Sequence, residues 1–499
     1  MKNSKNSLNS LTLSETHNGL RKKKFSSSEL TQACLTQIEK FDDKIKAFVT
    51  VSKEEALKQA DMADRKIAKK EDLDKPLLGI PVAVKDVLCT ENIKTTACSN
   101  ILANFIPPYD ATVVKIIKRQ GGVILGKANC DAFAHGASTE NSDFFPTHNP
   151  WDLSRVPGGS SGGSAAATAA DMCIYSLGTD TGGSVRFPAA FCSVVGIRPT
   201  YGRVSRYGLI AMTSSTDTIG PIAKSVLDTA IVLKEISGKD EKDSTTSIKL
   251  IDDYKKYLNR PIKDLKLGLP KEFFVEDGME EGVRKVTDDA IKTLERLGAK
   301  VKTVSLPHSQ YAVACYYIIT PCEVSANLAR FDGIKYGYSS KNADSLLEVY
   351  TKSRKEGFGA EAKRRIMIGT YALSAGYYDA YYLQAQKVRT VIKKEVEEVL
   401  REVDLLITPV SSHVPFKIGE KTSDPLQMYL EDIFMSAAAM AGIPAISIPC
   451  GFSEDLPVGL QIMGNYFDEK RVLNLAYVYE QTTGWYKRKP KLDTSNLKS

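Results

Sequence analysis

Apolar side chains at Leu30, Cys34 and Ile38 recur every four residues, the spacing of a helix that buries one face. Ser26 with Glu29 three positions on supplies the capping-box pattern that starts such a helix. A lysine-rich helix over 53–70 follows, its charges forming a solvated face. From Leu77 the period changes. The apolar run 77–84 predicts a strand, 111–120 a helix and 122–126 the next strand. A helix of small residues over 164–170 and a strand over 174–177 come next. Strands over 265–269 and 300–304 flank a helix over 282–297 whose inward positions are Val283, Val286, Ile291 and Leu294. The stretch 316–386 is rich in tyrosine and arginine and offers few breaks. Beyond it, 384–403 predicts an amphipathic helix with Val388, Ile392, Val396 and Val399 inward. Strands over 404–408, 445–449 and 458–463 and a helix over 469–481 close the pattern.

Strands alternating with helices predict an α/β fold, a large mixed β-sheet covered by helices on both faces. No internal repeat or long linker divides the chain. The expected organisation is a loosely ordered lead-in at 1–24, one domain over 25–490 and a polar tail at 491–499. In such sheets ligands gather at loops beyond strand ends.

Composition narrows the class without naming a partner. The chain is 42% hydrophobic and 25% charged, ordinary values for a soluble protein. A net charge of +7 over 499 residues does not argue for nucleic acid by itself. No apolar run reaches the ~18 residues of a membrane span, and no signal-like apolar segment opens the chain. A cytoplasmic protein without membrane contact is expected. Nine cysteines occur with no C-x-x-C pair, so buried thiols in a reducing compartment are expected and no metal site.

Candidate chemistry concentrates between Val156 and Arg186. Gly158-Gly159-Ser160-Ser161-Gly162-Gly163-Ser164 is too glycine-rich for a regular element and marks a tight functional turn. Downstream, Thr181-Gly182-Gly183-Ser184 sets consecutive backbone N–H groups beside a hydroxyl, as a nucleophile with its own oxyanion hole requires. A phosphate cradle would need a lysine after the second glycine pair, and none is there. None of the five histidines, His17, His135, His148, His308 and His413, sits in either cluster. A Ser-His-Asp triad assembled in space stays open on the residues alone. The other base is Lys85, which ends an apolar strand-like run. A desolvated lysine loses its proton near neutral pH, whereas a solvated strand end does not. Asp180 reads as an aspartate ordering its own turn, and the 377–382 tyrosine cluster as helix packing with hydroxyls at a polar rim.

These residues resemble the amidase signature enzymes, whose core is a Ser–cis-Ser–Lys triad. The matching positions are Lys85, Ser160 and Ser184, separated by 75 and 24 residues. The resemblance implies that Ser184 attacks an amide, that Ser160, preceded by a cis peptide, relays a proton to Lys85, and that the N–H groups of Thr181, Gly182, Gly183 and Ser184 hold the oxyanion. The likeness extends from about Ser26 to Trp485 and is similar to one subfamily, the A subunits of glutamyl-tRNA(Gln) amidotransferases. It is carried by NPWDLSRVPGGSSGGSAAA from Asn149, PTYGRVSRYGLIA from Pro199, NLARFDGIKYG from Asn327, KRRIMIGTYALSAGYYDAYYLQAQKVR from Lys363 and LPVGLQIMG from Leu456.

That subfamily implies hydrolysis of glutamine and delivery of ammonia to a B subunit. The B subunit uses ATP and Mg to amidate Glu-tRNA(Gln), or Asp-tRNA(Asn), and binds the misacylated tRNA. A C subunit completes a heterotrimer, and no cofactor is implied in this chain. Arg364 and Arg365 are candidates for the bidentate clamp on a substrate carboxylate. The resemblance puts Arg365 and Asp432 on the α-carboxylate and α-amino group of glutamine, with Tyr316 nearby. The chain departs from the family at Ala132 and His135, where glutamate and methionine are commoner. The alternative is a stand-alone hydrolase of small amides.

Overall fold

A computed structural model describes residues 7–274 and 278–492. Its strands are β1 (Phe48–Val51), β2 (Pro81–Lys85), β3 (Val123–Ala128), β4 (Tyr175–Asp180), β5 (Val195–Arg198), β6 (Thr218–Ala223), β7 (Lys266–Pro270), β8 (Lys300–Val304), β9 (Leu405–Pro409), β10 (Ala445–Ser453) and β11 (Leu456–Met463). They form an 11-stranded sheet in the order β1-β3-β2-β4-β6-β5-β10-β11-β9-β7-β8. The sheet is mixed. β2 runs parallel to both β3 and β4, and β7 parallel to β8 and β9, while the remaining pairs are antiparallel.

Successive strand residues point to opposite faces, and here they enter different cores. Val82, Val84 and Ile124 pack with the helices Thr112–Arg119 and Val226–Ile236. Ala83, Val123 and Leu125 pack instead with the helices Ser27–Ile45 and Gly162–Ala169. At the other end of the sheet Leu405 and Ile407 face the first core, and Leu406 faces a third, which holds Ile392 and Val396. Both faces are therefore covered, as the alternation of elements predicts.

The lead-in departs from expectation. Where 1–24 reads as loosely ordered, a helix spans Leu13–Arg21, opened by a Thr12–Glu15 capping box. Leu13 and Leu20 are buried, and Asp228 accepts the N–H groups of Leu13 and Ser14 at 2.9 and 3.0 Å. The anchor comes from 215 residues away, beyond the reach of local pattern. Of the expected tail, 493–499 lies outside the described residues.

Three regions have weak local signals. β1 is four residues long. β6 carries Gly220 and Pro221 in its interior, which count against a strand; a Cβ at Gly220 would stand 1.9 Å from the Ile197 carbonyl oxygen of β5, so close pairing demands the glycine. The 316–386 stretch resolves into the helices Ala312–Leu328, Leu346–Gly357 and Ala360–Ala372. No helix among the described residues is long and apolar enough to cross a membrane.

Candidate active site

β2 delivers Lys85 to the interior. All five of its residues are buried between two parallel neighbours, so the amine at its C-terminal end is shielded from bulk solvent. Lys85 Nζ lies 2.7 Å from Ser160 Oγ, 2.9 Å from Ser161 Oγ and 2.8 Å from Thr179 Oγ1. No carboxylate is within hydrogen-bond reach of it among the described residues. Burial pushes its pKa below the ordinary lysine value, and Cys130, Asp131, Cys98 and Asp180 offset this only in part. A neutral amine donates two hydrogen bonds and accepts one, so three hydroxyls are the shell in which it can receive a proton.

The first glycine–serine cluster is a buried turn. The Gly159–Ser160 peptide is cis, in the position the resemblance implies. A Cβ at Gly159 would stand 2.4 Å from Asp131 Oδ2, and one at Gly163 2.5 Å from the Asn129 carbonyl oxygen. Side chains are thus excluded from both ends of the turn. Asp131 accepts the N–H groups of Thr139 and Asn141 at 2.9 and 3.0 Å. Burial still lifts its pKa to about 6.

The second cluster follows β4. Asp180 does more than order its own turn. It is fully buried and accepts from Arg186 Nε and Nη2 at 3.0 Å and from Arg198 Nη1 at 3.1 Å. Burial alone would raise its pKa, but the two guanidinium groups outweigh burial and hold it well below the carboxylate range. Thr181 donates to Asp217 at 2.7 Å, and Thr218 donates to the Asp180 carbonyl at 3.0 Å. With the loop so held, the N–H groups of Thr181, Gly182, Gly183 and Ser184 donate to no protein acceptor among the described residues. Buried N–H groups rarely lack partners, and an oxyanion would supply one.

Ser184 is 7% exposed while Lys85 and Ser160 are fully buried, so it is the member of the three that solvent reaches. The hydroxyls of Ser160 and Ser184 exchange no hydrogen bond in this structure. Catalytic hydrogen bonds of this kind tighten when substrate binds.

The three residues expected to meet substrate, Tyr316, Arg365 and Asp432, come together near this loop. A Cβ at Gly182 would stand 2.6 Å from the Tyr316 ring, and one at Gly183 would stand 3.6 Å from Asp432 Oδ1. The direct bond to Asp432 is made by Tyr317, whose hydroxyl donates at 2.7 Å. Burial lifts the Asp432 pKa to about 6, which leaves it ionised at neutral pH. Arg365 is buried, donates from Nε to Glu361 at 2.8 Å and stacks its guanidinium over Tyr317 and Tyr429. Its Nη1 has no hydrogen-bond partner among the described residues. Arg364 is instead half exposed and paired with Glu361. A small cavity meets Arg365, Tyr317, Tyr429 and Ser138. A far roomier one, about 1020 Å³, lies against Lys285, Lys292 and Phe452 and contains no residue of the three-membered cluster.

Sequence reasoning missed Thr179, Asp217 and Tyr317. A lone threonine or tyrosine inside a regular element carries no motif, and only the tertiary contact reveals it. Tyr377, Tyr378 and Tyr381 are half exposed and pack on one another or on Tyr371 and Tyr382.

A family model described as amidase matches residues 29–473. The A subunit of glutamyl-tRNA(Gln) amidotransferase from Carboxydothermus hydrogenoformans is 55% identical over 482 residues, 97% of this chain and 99% of its own length. The protein of the same name from Heliobacterium modesticaldum is 53% identical over 96% of this chain and 98% of its own. Among solved structures, the A subunit of the Thermotoga maritima glutamyl-tRNA(Gln) amidotransferase matches with a TM-score of 0.80 and 43% identity, covering 97% of this chain and 98% of that one. The native peptide amidase of Stenotrophomonas maltophilia matches with a TM-score of 0.80 and 30% identity, over 97% and 98% of the two chains.

Proposed function

This chain belongs to the amidase family, and from that premise we propose that it is the glutamine-hydrolysing A subunit of a glutamyl-tRNA(Gln) amidotransferase. The observation that carries the chemistry is the Lys85 amine, fully buried among three hydroxyls. Neutral Lys85 takes the Ser160 proton as Ser160 takes that of Ser184. Ser184 Oγ then attacks the side-chain amide carbon of glutamine. The unpartnered N–H groups of 181–184 receive the oxyanion; in comparable sites one such donor is worth about 3 kcal/mol. The proton returns through Ser160 to the leaving nitrogen, ammonia departs, and water cleaves the glutamyl ester by the same route.

Arg365 and Asp432 meet the α-carboxylate and α-ammonium of glutamine, with Tyr316 shaping the floor and Tyr317 fixing Asp432. The ammonia passes to a B subunit that binds ATP, Mg and the misacylated tRNA, in a heterotrimer completed by a C subunit. Nothing in the cluster requires a metal or cofactor of this chain's own. The likeness to amidotransferase A subunits over 97% of the chain supports this reading over a free-standing amidase in the cytoplasm.

Co-expression with candidate B and C subunits tests it. The expected result is a co-purifying complex that converts Glu-tRNA(Gln) to Gln-tRNA(Gln) with glutamine and ATP. A chain that purifies alone and hydrolyses small amides without partners would favour the peptide-amidase-like alternative.

A further inference from the structure

Two thiols beside the candidate active site are close enough to react with each other. Cys98 Sγ and Cys130 Sγ lie 3.4 Å apart, both fully buried, and the Cys130 N–H points at Cys98 Sγ at 3.2 Å. A disulfide needs a separation of about 2.0 Å, so a contraction of ångström scale joins them. Their location decides what that contraction does. Cys130 stands between Asn129, whose carbonyl accepts the Gly163 N–H at 3.2 Å, and Asp131, whose carboxylate lies against Gly159. Those contacts hold the two ends of the turn that carries Ser160. Cys98 follows Ala97, whose N–H donates to the carbonyl of Asp86, the residue after Lys85. Pulling the two sulfurs together displaces the serine turn relative to the lysine.

We propose that Cys98 and Cys130 form a reversible disulfide under hydrogen peroxide and that this oxidation switches off the amide-hydrolysing site beside them. The Cys130 thiol attacks the peroxide. A sulfur–oxygen bond forms, the O–O bond breaks, and the departing oxygen takes the thiol proton and leaves as water. Cys98 then attacks the resulting sulfenic acid. The S–S bond forms, the S–O bond breaks, and a second water leaves with the Cys98 proton. Two thiols lose two electrons and one peroxide gains them. Because both sulfurs are buried, the oxidant must be of nearly water size, and bulky disulfides such as oxidised glutathione are excluded.

The inference rests on the proposed role of Lys85 and Ser160, and the test separates the two. The whole chain, in complex with its partners, is treated with hydrogen peroxide, digested without reduction and mapped by mass spectrometry, with glutaminase activity followed in parallel. A Cys98–Cys130 linked peptide is expected, with at least a tenfold loss of activity that dithiothreitol restores. Cys130→Ser and Cys98→Ser should each keep activity before treatment and lose none with peroxide at the same dose. Peroxide inactivation without the linked peptide, or the linked peptide with activity intact, overturns the switch while leaving the hydrolytic reading standing. Should both serine variants unfold, Cys130→Met gives the same resistance test. Absence of Ser184-dependent activity before any peroxide is added would instead count against the hydrolytic reading itself.

Discussion

Ser161 donates its backbone N–H to the carbonyl of Ser184 at 3.1 Å, tying together two loops that lie 23 residues apart in sequence. The turn that holds Ser160, the proposed proton relay, and the loop that holds Ser184, the proposed nucleophile, are thereby one unit, and Lys85 bonds to its buried side through Ser160 and Ser161.

Removal of the amine should therefore disable chemistry without dismantling the loops. Lys85→Ala is expected to lower glutaminase kcat by about 10²–10⁴-fold, the usual range for a general base. Lys85→Arg should be no better, because a guanidinium does not give up its proton. Steady-state kinetics on both variants checks this, and an arginine variant of near wild-type activity would refute it.

The pH profile follows from the direction of the Lys85 shift. Its pKa is lowered by burial, and the proposed mechanism uses the neutral amine, so the rate should rise with pH through a midpoint below the ordinary lysine value of 10.5. Asp131 is an anion that favours the charged amine, so Asp131→Asn should move that midpoint to lower pH. Stability runs the same way. The unfolded lysine holds its proton to higher pH than the folded one, so the Lys85 contribution improves as pH rises between the two values.

Space at Gly182 admits no side chain. Gly182→Ala would bring a Cβ to 2.6 Å from the Tyr316 ring, forcing the N–H groups off line. A loss of about 10²-fold or more in kcat is expected, comparable to removing one donor, with part of it recovered in the Gly182→Ala, Tyr316→Ala double variant.

Asp180→Ala strands two buried guanidinium groups, those of Arg186 and Arg198. Removing one partner of a buried ion pair costs about 3–5 kcal/mol, which urea unfolding would register as a lower midpoint.

Arg365→Lys should raise the KM for glutamine at least tenfold and change kcat little, since the clamp contributes to ground and transition states alike. Ammonia-dependent amidation by the assembled complex should be unaffected.

How much of this could be read from the chain depended on how local each signal was. Ser160 and Ser184 announce themselves because glycine runs next to hydroxyls are rare and have a backbone reason, and the helix at Ser26 because its cap lies within four residues. Lys85 acquires its meaning only through partners 75 to 94 residues away. The helix Leu13–Arg21 depends on Asp228, and the Asp432 site on Tyr317, 115 residues distant. Where one contact across the fold decides a residue's role, periodicity and spacing are silent. The arginine pair divides for the same reason: Arg364 and Arg365 are neighbours in sequence, yet the helix turns one to solvent and the other inward to Tyr317.

The most direct test of the central claim is Ser184→Ala in the assembled complex, with glutamine and then ammonium chloride as nitrogen source. Glutamine-dependent amidation of misacylated tRNA should disappear while ammonia-dependent amidation continues at the wild-type rate. Normal turnover of glutamine by that variant would contradict it.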